Sequence, residues 1–226
     1  DFKTMSYYMP GLQIVDLSGT TVVAYSGTEG PQLSDWVYPA NAVPDYAFSR
    51  GLIGNEVLRS IILPSKVTSV GYGAFYSCTN LNSIYLPPTI TSFSMAAFSN
   101  CTSLSSIDLP SSLNFIGEGA FMGCNALTSI TIPESVTTID RIAFSGCTKL
   151  TSINIPASAT SVDGSIFQGI INVDEGNLVY SSIDGIMFDK LKTTLIHYPS
   201  TRTGDYTIPS SVITIDANAF FGCAGL

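Results

Sequence analysis

The sequence contains few charged residues and very few basic ones. Only 12% of its 226 residues are Asp, Glu, Lys or Arg, about half of the usual share in globular proteins. Seventeen acidic residues outnumber nine basic ones, which gives a net charge of −8. Since nucleic acids and anionic membranes attract basic patches, the composition predicts that neither is a partner.

Long apolar runs are also missing. No stretch approaches the ~18 consecutive apolar residues of a membrane-spanning helix, so we expect no membrane insertion within this chain. The sequence opens at Asp1 without an initiator Met and without a basic segment followed by an apolar one. That beginning fits a processed secreted protein and a trimmed chain equally well.

Groups suited to catalysis or metal binding are scarce. His197 is the single histidine and would have to serve in any Ser-His-Asp triad, but we expect a surface or half-buried histidine on a strand. The cysteines lack the spacing of zinc sites. The oxygen-bearing side chains that come nearest to a calcium site are Asp174, Glu175, Asn177, Asp184 and Asp189. Because they lack the spacing of calcium-binding loops, we interpret them as turn residues and predict no enzyme activity, cofactor or metal.

The dominant feature of the sequence is a repeat of 23 residues. Three residue types recur in this register: prolines at Pro64, Pro87, Pro110, Pro133 and Pro156, phenylalanines at Phe75, Phe98, Phe121, Phe144 and Phe167, and cysteines at Cys78, Cys101, Cys124 and Cys147. A fixed period of this length is typical of a solenoid, whose units bury their apolar faces only by stacking on their neighbours. We therefore expect a single elongated domain.

Each unit divides into three segments. In the unit of residues 81–103, the pattern L-x-x-I-x-L predicts a short strand that Pro87 ends. A second run, such as residues 136–139, predicts a short strand on the far wall. The closing segment, such as residues 71–78, carries a Phe three residues before a Cys and predicts one helical or 3₁₀ turn.

The pattern L-x-x-I-x-L/I-P-x-x-V-x-x-I-G-x-x-A-F-x-x-C is similar to the BspA-like leucine-rich repeats of bacterial surface proteins. It runs through residues 58–172 and resumes at residue 208. The resemblance implies a right-handed superhelix with short parallel strands on a concave face and short strands and helical turns on the other walls. It also implies an extracellular or cell-surface location and attachment to a host or neighbouring-cell surface protein or glycan.

The register divides the solenoid into four parts. Residues 1–57 are expected to be irregular capping repeats in which Trp36 packs, and residues 58–172 hold five regular units. Residues 173–207 form an irregular module, and residues 208–226 are a resumed and truncated repeat. Leu226 begins a strand that is not finished, so we expect an edge that permits end-to-end self-association.

The irregular module carries Asp184-Gly185 between two apolar runs, which predicts a β-hairpin. Interruptions of the form N-x-x-Y-x-S-x-D-G-x-x-F occur in the resembling family. The residues that match this form are Asn177, Tyr180, Ser182, Asp184, Gly185 and Phe188. The resemblance thus favours a recurrent module over a grafted site.

Two columns of side chains are expected in the core. They comprise the repeat phenylalanines together with Phe220, and the repeat cysteines together with Cys223. Stacked strands would bring neighbouring cysteines close together, at about 4.8 Å, so Cα spacing alone does not exclude disulfides. We interpret all five as free thiols that behave as small apolar groups.

Two other columns should point outward from the first strand of each unit, because side chains alternate along a strand. The uniform column is Ser60, Ser83, Ser106, Ser129 and Ser152, for which we expect hydroxyl contacts between neighbours. The varied column is Ile62, Tyr85, Asp108, Thr131, Asn154 and Thr207, the candidate ligand-binding residues. Tolerance of variation explains the second column equally well.

These observations support two hypotheses of function. The first is a non-enzymatic, adhesin-like module that binds a protein or a glycan through the concave repeat surface. The alternative is a structural spacer that presents another domain and has no ligand of its own.

Overall fold

The structure, a computed structural model, describes residues 11–22, 25–27, 36–49 and 53–226. This part of the chain contains short strands and turns and no α-helix. In chain order the strands are β1 (Ile14–Asp16), β2 (Tyr25–Gly27), β3 (Trp36–Tyr38), β4 (Ala42–Val43), β5 (Ser60–Ile62), β6 (Ser69–Val70), β7 (Ser83–Tyr85), β8 (Ser92–Phe93), β9 (Phe115–Ile116), β10 (Thr138–Ile139), β11 (Ser152–Ile155), β12 (Ser161–Val162), β13 (Ile170–Val173), β14 (Tyr180–Ile183), β15 (Ile186–Asp189), β16 (Thr194–His197) and β17 (Thr214–Ile215).

The first wall of the solenoid is built from the L-x-x-I-x-L segments, and we call its outward surface the strand face. Strands β1, β5 and β7 pair in parallel, with Ser60 opposite Ser83 and Ile62 opposite Tyr85. Strand β11 pairs in parallel with β13. Two intervening segments, residues 106–108 and 129–131, form no ladder, so the prediction of a paired strand in every unit is wrong at these two positions.

The second wall is a parallel sheet of six strands in the order β12-β10-β9-β8-β6-β4. Each strand is only two residues long, and the second residue of each is a buried apolar side chain, as at Val70, Phe93 and Ile116. A two-residue strand suffices because one inward side chain per unit fills this side of the core. Strand β4 extends this wall to residues 42–43, before the first regular unit.

The third wall is a column of turns, where we had expected helical or 3₁₀ turns. Every second backbone N–H group of a turn donates a hydrogen bond within the same turn, such as Cys78 N–H to the Phe75 carbonyl at 3.1 Å. The others donate to the next unit, such as Phe75 N–H to the Ala97 carbonyl at 2.8 Å. Since every second donor is directed along the stack, no helix propagates. Gly73, at a φ of 54°, provides the left-handed backbone that each reversal requires.

Stacked phenylalanine rings form the centre of the core. Neighbouring rings lie 5.2–5.4 Å apart and almost parallel from Phe75 to Phe144. Phe48 continues the stack in the unit before, 4.9 Å from Phe75. Phe167 is also buried, whereas Phe220 is only half-buried. The period of the sequence thus appears in the structure as a continuous aromatic column.

The irregular module contains the hairpin that Asp184-Gly185 predicts. Strands β14 and β15 pair antiparallel, and Asp184 and Gly185 have φ values of 52° and 79°, as a type I′ turn requires. Strand β16 pairs antiparallel with β15 and parallel with β17. The C-terminal segment therefore stacks on the module, where a small second core forms. The buried members of this core are Ile186, Phe188, Leu195, Tyr198 and Ala219.

Only part of the predicted N-terminal cap lies within the described structure. Trp36 begins β3, which pairs antiparallel with β2. Its side chain lies outside the described part of the structure, so its packing stays a prediction.

Candidate binding surface

Five members of the varied column lie on the strand face, and no strand pairing places the sixth. Tyr85 is 56% exposed, Asp108, Thr131 and Asn154 are exposed, and Ile62 is half-buried. These side chains follow one another from unit to unit, so the structure brings five of the six candidates onto one surface.

Thr207 is the exception. It is exposed but lies in no strand, and the partner of Asn154 in the β11–β13 register is Asn172. Asn172 donates from Nδ2 to Oδ1 of Asn154 at 3.0 Å. Asn172 is therefore the position that follows Asn154 on the strand face, and the assignment of Thr207 to this surface stays a prediction. The signal was present in the sequence, since Ile171-Asn172-Val173 repeats the alternation of Ile153-Asn154-Ile155.

The uniform serine column does not connect neighbouring units as expected. Its members are exposed or half-buried, and within the described residues their hydroxyl groups make no hydrogen bond. Hydroxyl contacts between units are made instead at the corner after each proline. There the Oγ of Ser112, Ser135 and Ser158 donates to a carbonyl of the preceding unit at 2.6–2.7 Å.

Three polar side chains of the varied column are also unbonded. The Tyr85 hydroxyl, the Asp108 carboxylate and the Thr131 hydroxyl make no hydrogen bond within the described protein. On the six-stranded wall Thr91 and Thr137 each donate to a carbonyl one unit earlier at 3.1 and 3.3 Å, whereas the hydroxyls of Ser92 and Ser161 make no hydrogen bond. Side-chain hydrogen-bonding capacity is thus left unused on both walls.

The missing ladder leaves open clefts on this face. The first cleft, about 270 Å³, lies between residues 106–111 and 129–133. The second, about 420 Å³, lies between residues 130–134, 154–156 and 172–175. The units on either side of the first cleft stay joined on the other walls, as by the hydrogen bond from Phe121 N–H to the Ala143 carbonyl at 2.8 Å. The clefts therefore open only toward the strand face.

Both clefts have an apolar floor, a polar rim and a negative edge. Ile107 and Ile130 form the floor of the first, while Ser106, Asp108, Ser129 and Thr131 form its rim. The second adds carboxylates, namely Glu134, Asp174 and Glu175. No Lys or Arg lines either of these two clefts.

His197 is buried, deeper than its sequence context indicated. Its ring nitrogens Nδ1 and Nε2 lie 3.1 Å and 2.9 Å from the carbonyl oxygens of Gly164 and Gly169. Burial lowers the pKa of the imidazole, and the two carbonyls oppose this shift. Because both nitrogens face backbone and the ring is 3% exposed, His197 joins the module to the regular stack and is not placed to accept a proton from a bound molecule.

The cysteines are free thiols, and four of them are buried. Cys101, Cys124 and Cys147 donate from Sγ to the carbonyls of Phe75, Phe98 and Phe121 at 3.1–3.2 Å. Burial raises the pKa of the Cys147 thiol to about 12 and that of Cys124 well above its usual value. The thiols are thus core groups with little tendency to ionise.

A third cleft, of about 490 Å³, lies on the six-stranded wall and is acidic. Its carboxylates include Glu118, Asp140, Asp163 and Asp216, and Arg141 pairs with Glu118 at 2.8 Å. Burial and the neighbouring carboxylates raise the pKa of Asp140. Among the described residues, no group of three or more His, Cys, Asp or Glu side chains is arranged to hold a metal ion.

The motif of the irregular module is structural. Asn177 is fully buried and donates from Nδ2 to the carbonyls of Pro156 and Ala159 at 2.8 and 2.9 Å. Its Oδ1 accepts from the N–H groups of Val179 and Tyr180. Ser182 accepts from the Val173 N–H at 2.9 Å. These contacts fasten the hairpin to the preceding unit.

Comparison with protein families identifies the repeat. Residues 41–174 match the family described as BspA type leucine-rich repeat region, in six copies. The chain belongs to this family. The matched repeats begin at residue 41, before the first regular unit predicted at residue 58. This earlier start agrees with the positions of β4 and Phe48 in the structure. The family resemblance drawn from the repeat pattern is confirmed.

Solved structures of similar shape come from bacteria. One is a leucine-rich repeat protein from Eubacterium ventriosum, with a TM-score of 0.72 and 26% identity, covering 91% of this chain and 56% of that one. Another is a leucine-rich cell surface protein from Faecalibacterium prausnitzii, with a TM-score of 0.63 and 26% identity. The match covers 96% of this chain and 62% of the Faecalibacterium chain. A third is the pneumococcal vaccine antigen PcpA, with a TM-score of 0.68 and 22% identity. The match covers 92% of this chain and 52% of the PcpA chain, and at this identity it supports the fold alone.

This BspA-type chain therefore spans between about half and two thirds of the length of these structural neighbours. Comparison with curated proteins gives no significant match. Among the described residues, no helix has the length and apolar character needed to cross a membrane.

Proposed function

We propose that this chain is a non-enzymatic binding domain of a bacterial cell-surface protein, adhesin-like, which recognises a protein or a glycan through the strand face. The observation that carries this proposal is that two open clefts lie on the strand face among side chains that make no hydrogen bond. On the strand face the hydroxyls of Ser106, Ser129 and Thr131 and the carboxylate of Asp108 are unbonded and exposed. Elsewhere, hydroxyls such as that of Ser135 connect neighbouring units.

The surface location is supported by membership of the BspA-type family and by the similarity to a protein described as a cell surface protein. A binding role is favoured over catalysis because the single histidine is buried against two carbonyls. Repeat proteins of this architecture present extended surfaces on which varied side chains determine the ligand.

A structural spacer is the second candidate, and the continuity of two walls favours it. The six-stranded sheet and the turn column carry hydrogen bonds from unit to unit from residue 42 to residue 166. A body joined in this way is stiff and suits the display of another domain. A spacer would not require open clefts among unbonded side chains, so we rank it second.

The test is equilibrium binding of this chain to host matrix proteins, glycans and bacterial surface polymers. A triple variant, Tyr85→Ala/Asp108→Ala/Asn154→Ala, removes strand-face groups. A control variant, Thr160→Ala/Asp205→Asn, removes an exposed hydroxyl and an exposed carboxylate from other surfaces. Saturable binding that the triple variant loses and the control keeps is the expected result. Binding that survives in both variants would move the site off the strand face, and the absence of binding to every ligand would favour the spacer.

A further inference from the structure

We infer that the strand-face ligand is an uncharged glycan chain that lies along the stack and seats one sugar ring in each of the two clefts. This inference rests on the proposed binding function and names its ligand class. It follows from the shape, spacing, chemistry and charge of the clefts.

The clefts match the two-sided chemistry of a pyranose ring, which has apolar C–H groups on its faces and hydroxyls around its edge. In the first cleft Ile107 and Ile130 supply an apolar floor, and the hydroxyls of Ser129 and Thr131 lie on the rim. The carboxylate of Asp108 is a strong acceptor for sugar hydroxyls. All three rim groups are unbonded in the described protein. A ring seated here gains hydrogen bonds without breaking any bond between units.

Backbone groups add to this capacity. Residues 106–108 and 129–131 make no ladder bond, so their N–H and C=O groups remain available at the cleft walls. Buried or half-buried backbone groups normally have partners, and a polyhydroxylated ligand is able to provide both donors and acceptors.

The spacing of the clefts favours a chain over a single sugar. The two clefts share Ile130 and Thr131, so they are adjacent along the stack. The rise between units is set by the core, where the rings of Phe98, Phe121 and Phe144 are 5.3 and 5.4 Å apart. This rise is close to the length of one pyranose residue in an extended glycan. Consecutive sugars therefore meet consecutive units.

Tyr85 extends the site by one unit toward the N-terminus. Its ring is 56% exposed and its hydroxyl is unbonded. An aromatic ring of this kind packs against the C–H face of a sugar while its hydroxyl stays in water. Tyr85 thus provides a stacking platform ahead of the first cleft.

Charge determines which glycans fit. Asp108, Glu134, Asp174 and Glu175 line the clefts, and the chain carries a net charge of −8. With no cation in either lining, sulfated or phosphorylated polymers would be repelled. The cleft volumes of about 270 and 420 Å³ suit one ring each, near the lower end of the range of small-molecule sites, about 300–1,000 Å³.

The experiment titrates the whole chain with hexasaccharides of N-acetylglucosamine, glucose and mannose, and with a heparin hexasaccharide as the anionic counterpart, by calorimetry. The test variant is Asp108→Ala/Thr131→Ala, with Tyr85→Ala separately. The matched control is Asp205→Asn/Thr160→Ala. A parallel arm measures binding of the same variants to a panel of host matrix proteins. Circular dichroism melting confirms that each variant is folded.

We expect saturable binding of at least one neutral hexasaccharide, and a loss of affinity of about tenfold or more in the Asp108→Ala/Thr131→Ala variant but not in the control. Preferential binding of heparin, or neutral binding that the variants leave unchanged, would overturn the inference. A protein that binds through the same residues while every glycan fails would refute the glycan assignment and leave the proposed binding function standing. If neither a glycan nor a matrix protein binds, both the glycan assignment and the proposed binding function are refuted.

Discussion

The thiol of Cys124 donates a hydrogen bond to the backbone carbonyl of Phe98, 3.2 Å away in the preceding unit. The same contact joins Cys101 to Phe75 and Cys147 to Phe121. A cysteine is small enough for the packed core, and its thiol adds a second hydrogen bond to a carbonyl that already accepts from the N–H of the cysteine in its own unit. The repeated cysteine is thus explained by a structural bond between units.

The first prediction concerns thiol reactivity. Cys223 is half-buried, whereas Cys101 and Cys124 are buried and their pKa values are raised by burial. We expect a disulfide reagent at pH 8 to modify Cys223 first and the buried thiols only at the rate at which the stack opens. All five should react rapidly in denaturant without reductant. Two or fewer reactive thiols in denaturant would contradict the assignment as free thiols.

The second prediction concerns the aromatic column. Phe121 is fully buried between Phe98 and Phe144. Phe121→Ala should lower the free energy of unfolding by about 3–5 kcal/mol and reduce the cooperativity of unfolding along the array. Phe221→Ala serves as the control because this ring is 55% exposed. A loss of less than about 1 kcal/mol for Phe121→Ala in denaturant melts would be incompatible with its position in the core.

The third prediction concerns the fastening of the irregular module. Asn177→Ala removes hydrogen bonds to two buried carbonyls and to two part-buried N–H groups. We expect a loss of about 3 kcal/mol, because the buried partners are left unsatisfied. Asn125→Ala, at an exposed turn position, should cost much less. Hydrogen exchange should show faster opening of residues 177–198 in Asn177→Ala than in the control, and equal exchange would refute the role of Asn177.

The fourth prediction concerns pH. The pKa of His197 is lowered from 6.5 because burial disfavours the charged ring. The unfolded chain therefore takes up a proton at a higher pH than the folded chain does. The contribution of His197 to stability should be complete at pH 7.5 and should decline as the pH falls below about 6.5. His197→Gln should lack this decline.

Denaturant melts of both proteins at pH 7.5 and 5.5 measure the effect. The comparison should show a larger loss of stability on acidification for the native chain than for His197→Gln. A native chain that gains stability relative to the variant at pH 5.5 would mean that the Gly164 and Gly169 carbonyls, which favour the charged ring, outweigh burial.

The solenoid was predictable because its period lies in residues that must be buried. Phe121 and Cys124 recur every 23 positions since every unit presents the same space to its neighbour. The Asp184-Gly185 hairpin was predictable for a local reason, as both residues adopt positive φ values that this dipeptide favours.

Other features depend on relationships that a pattern does not contain. The turn of residues 71–78 was predicted as helical, but alternate N–H groups donate to the next unit, and this choice of acceptor exists only in the stack. The serine column was expected to bond internally, yet the ladder opens beside it at residues 106–108. Thr207 was placed by counting, whereas the inserted hairpin brings Asn172 to the next position on the strand face.

The turn column also bears on how such chains change in length. The N–H group of Phe121 meets the Ala143 carbonyl at 2.8 Å, and after the irregular module the N–H group of Tyr198 meets the Ala219 carbonyl at 2.7 Å. A tyrosine thus takes the position of the phenylalanine without changing the hydrogen bond between units. Because each pair of neighbouring units is connected by the same backbone hydrogen bonds, a unit gained or lost by unequal recombination would bond to its new neighbours as readily as to its old ones. Array length and surface chemistry can therefore evolve independently.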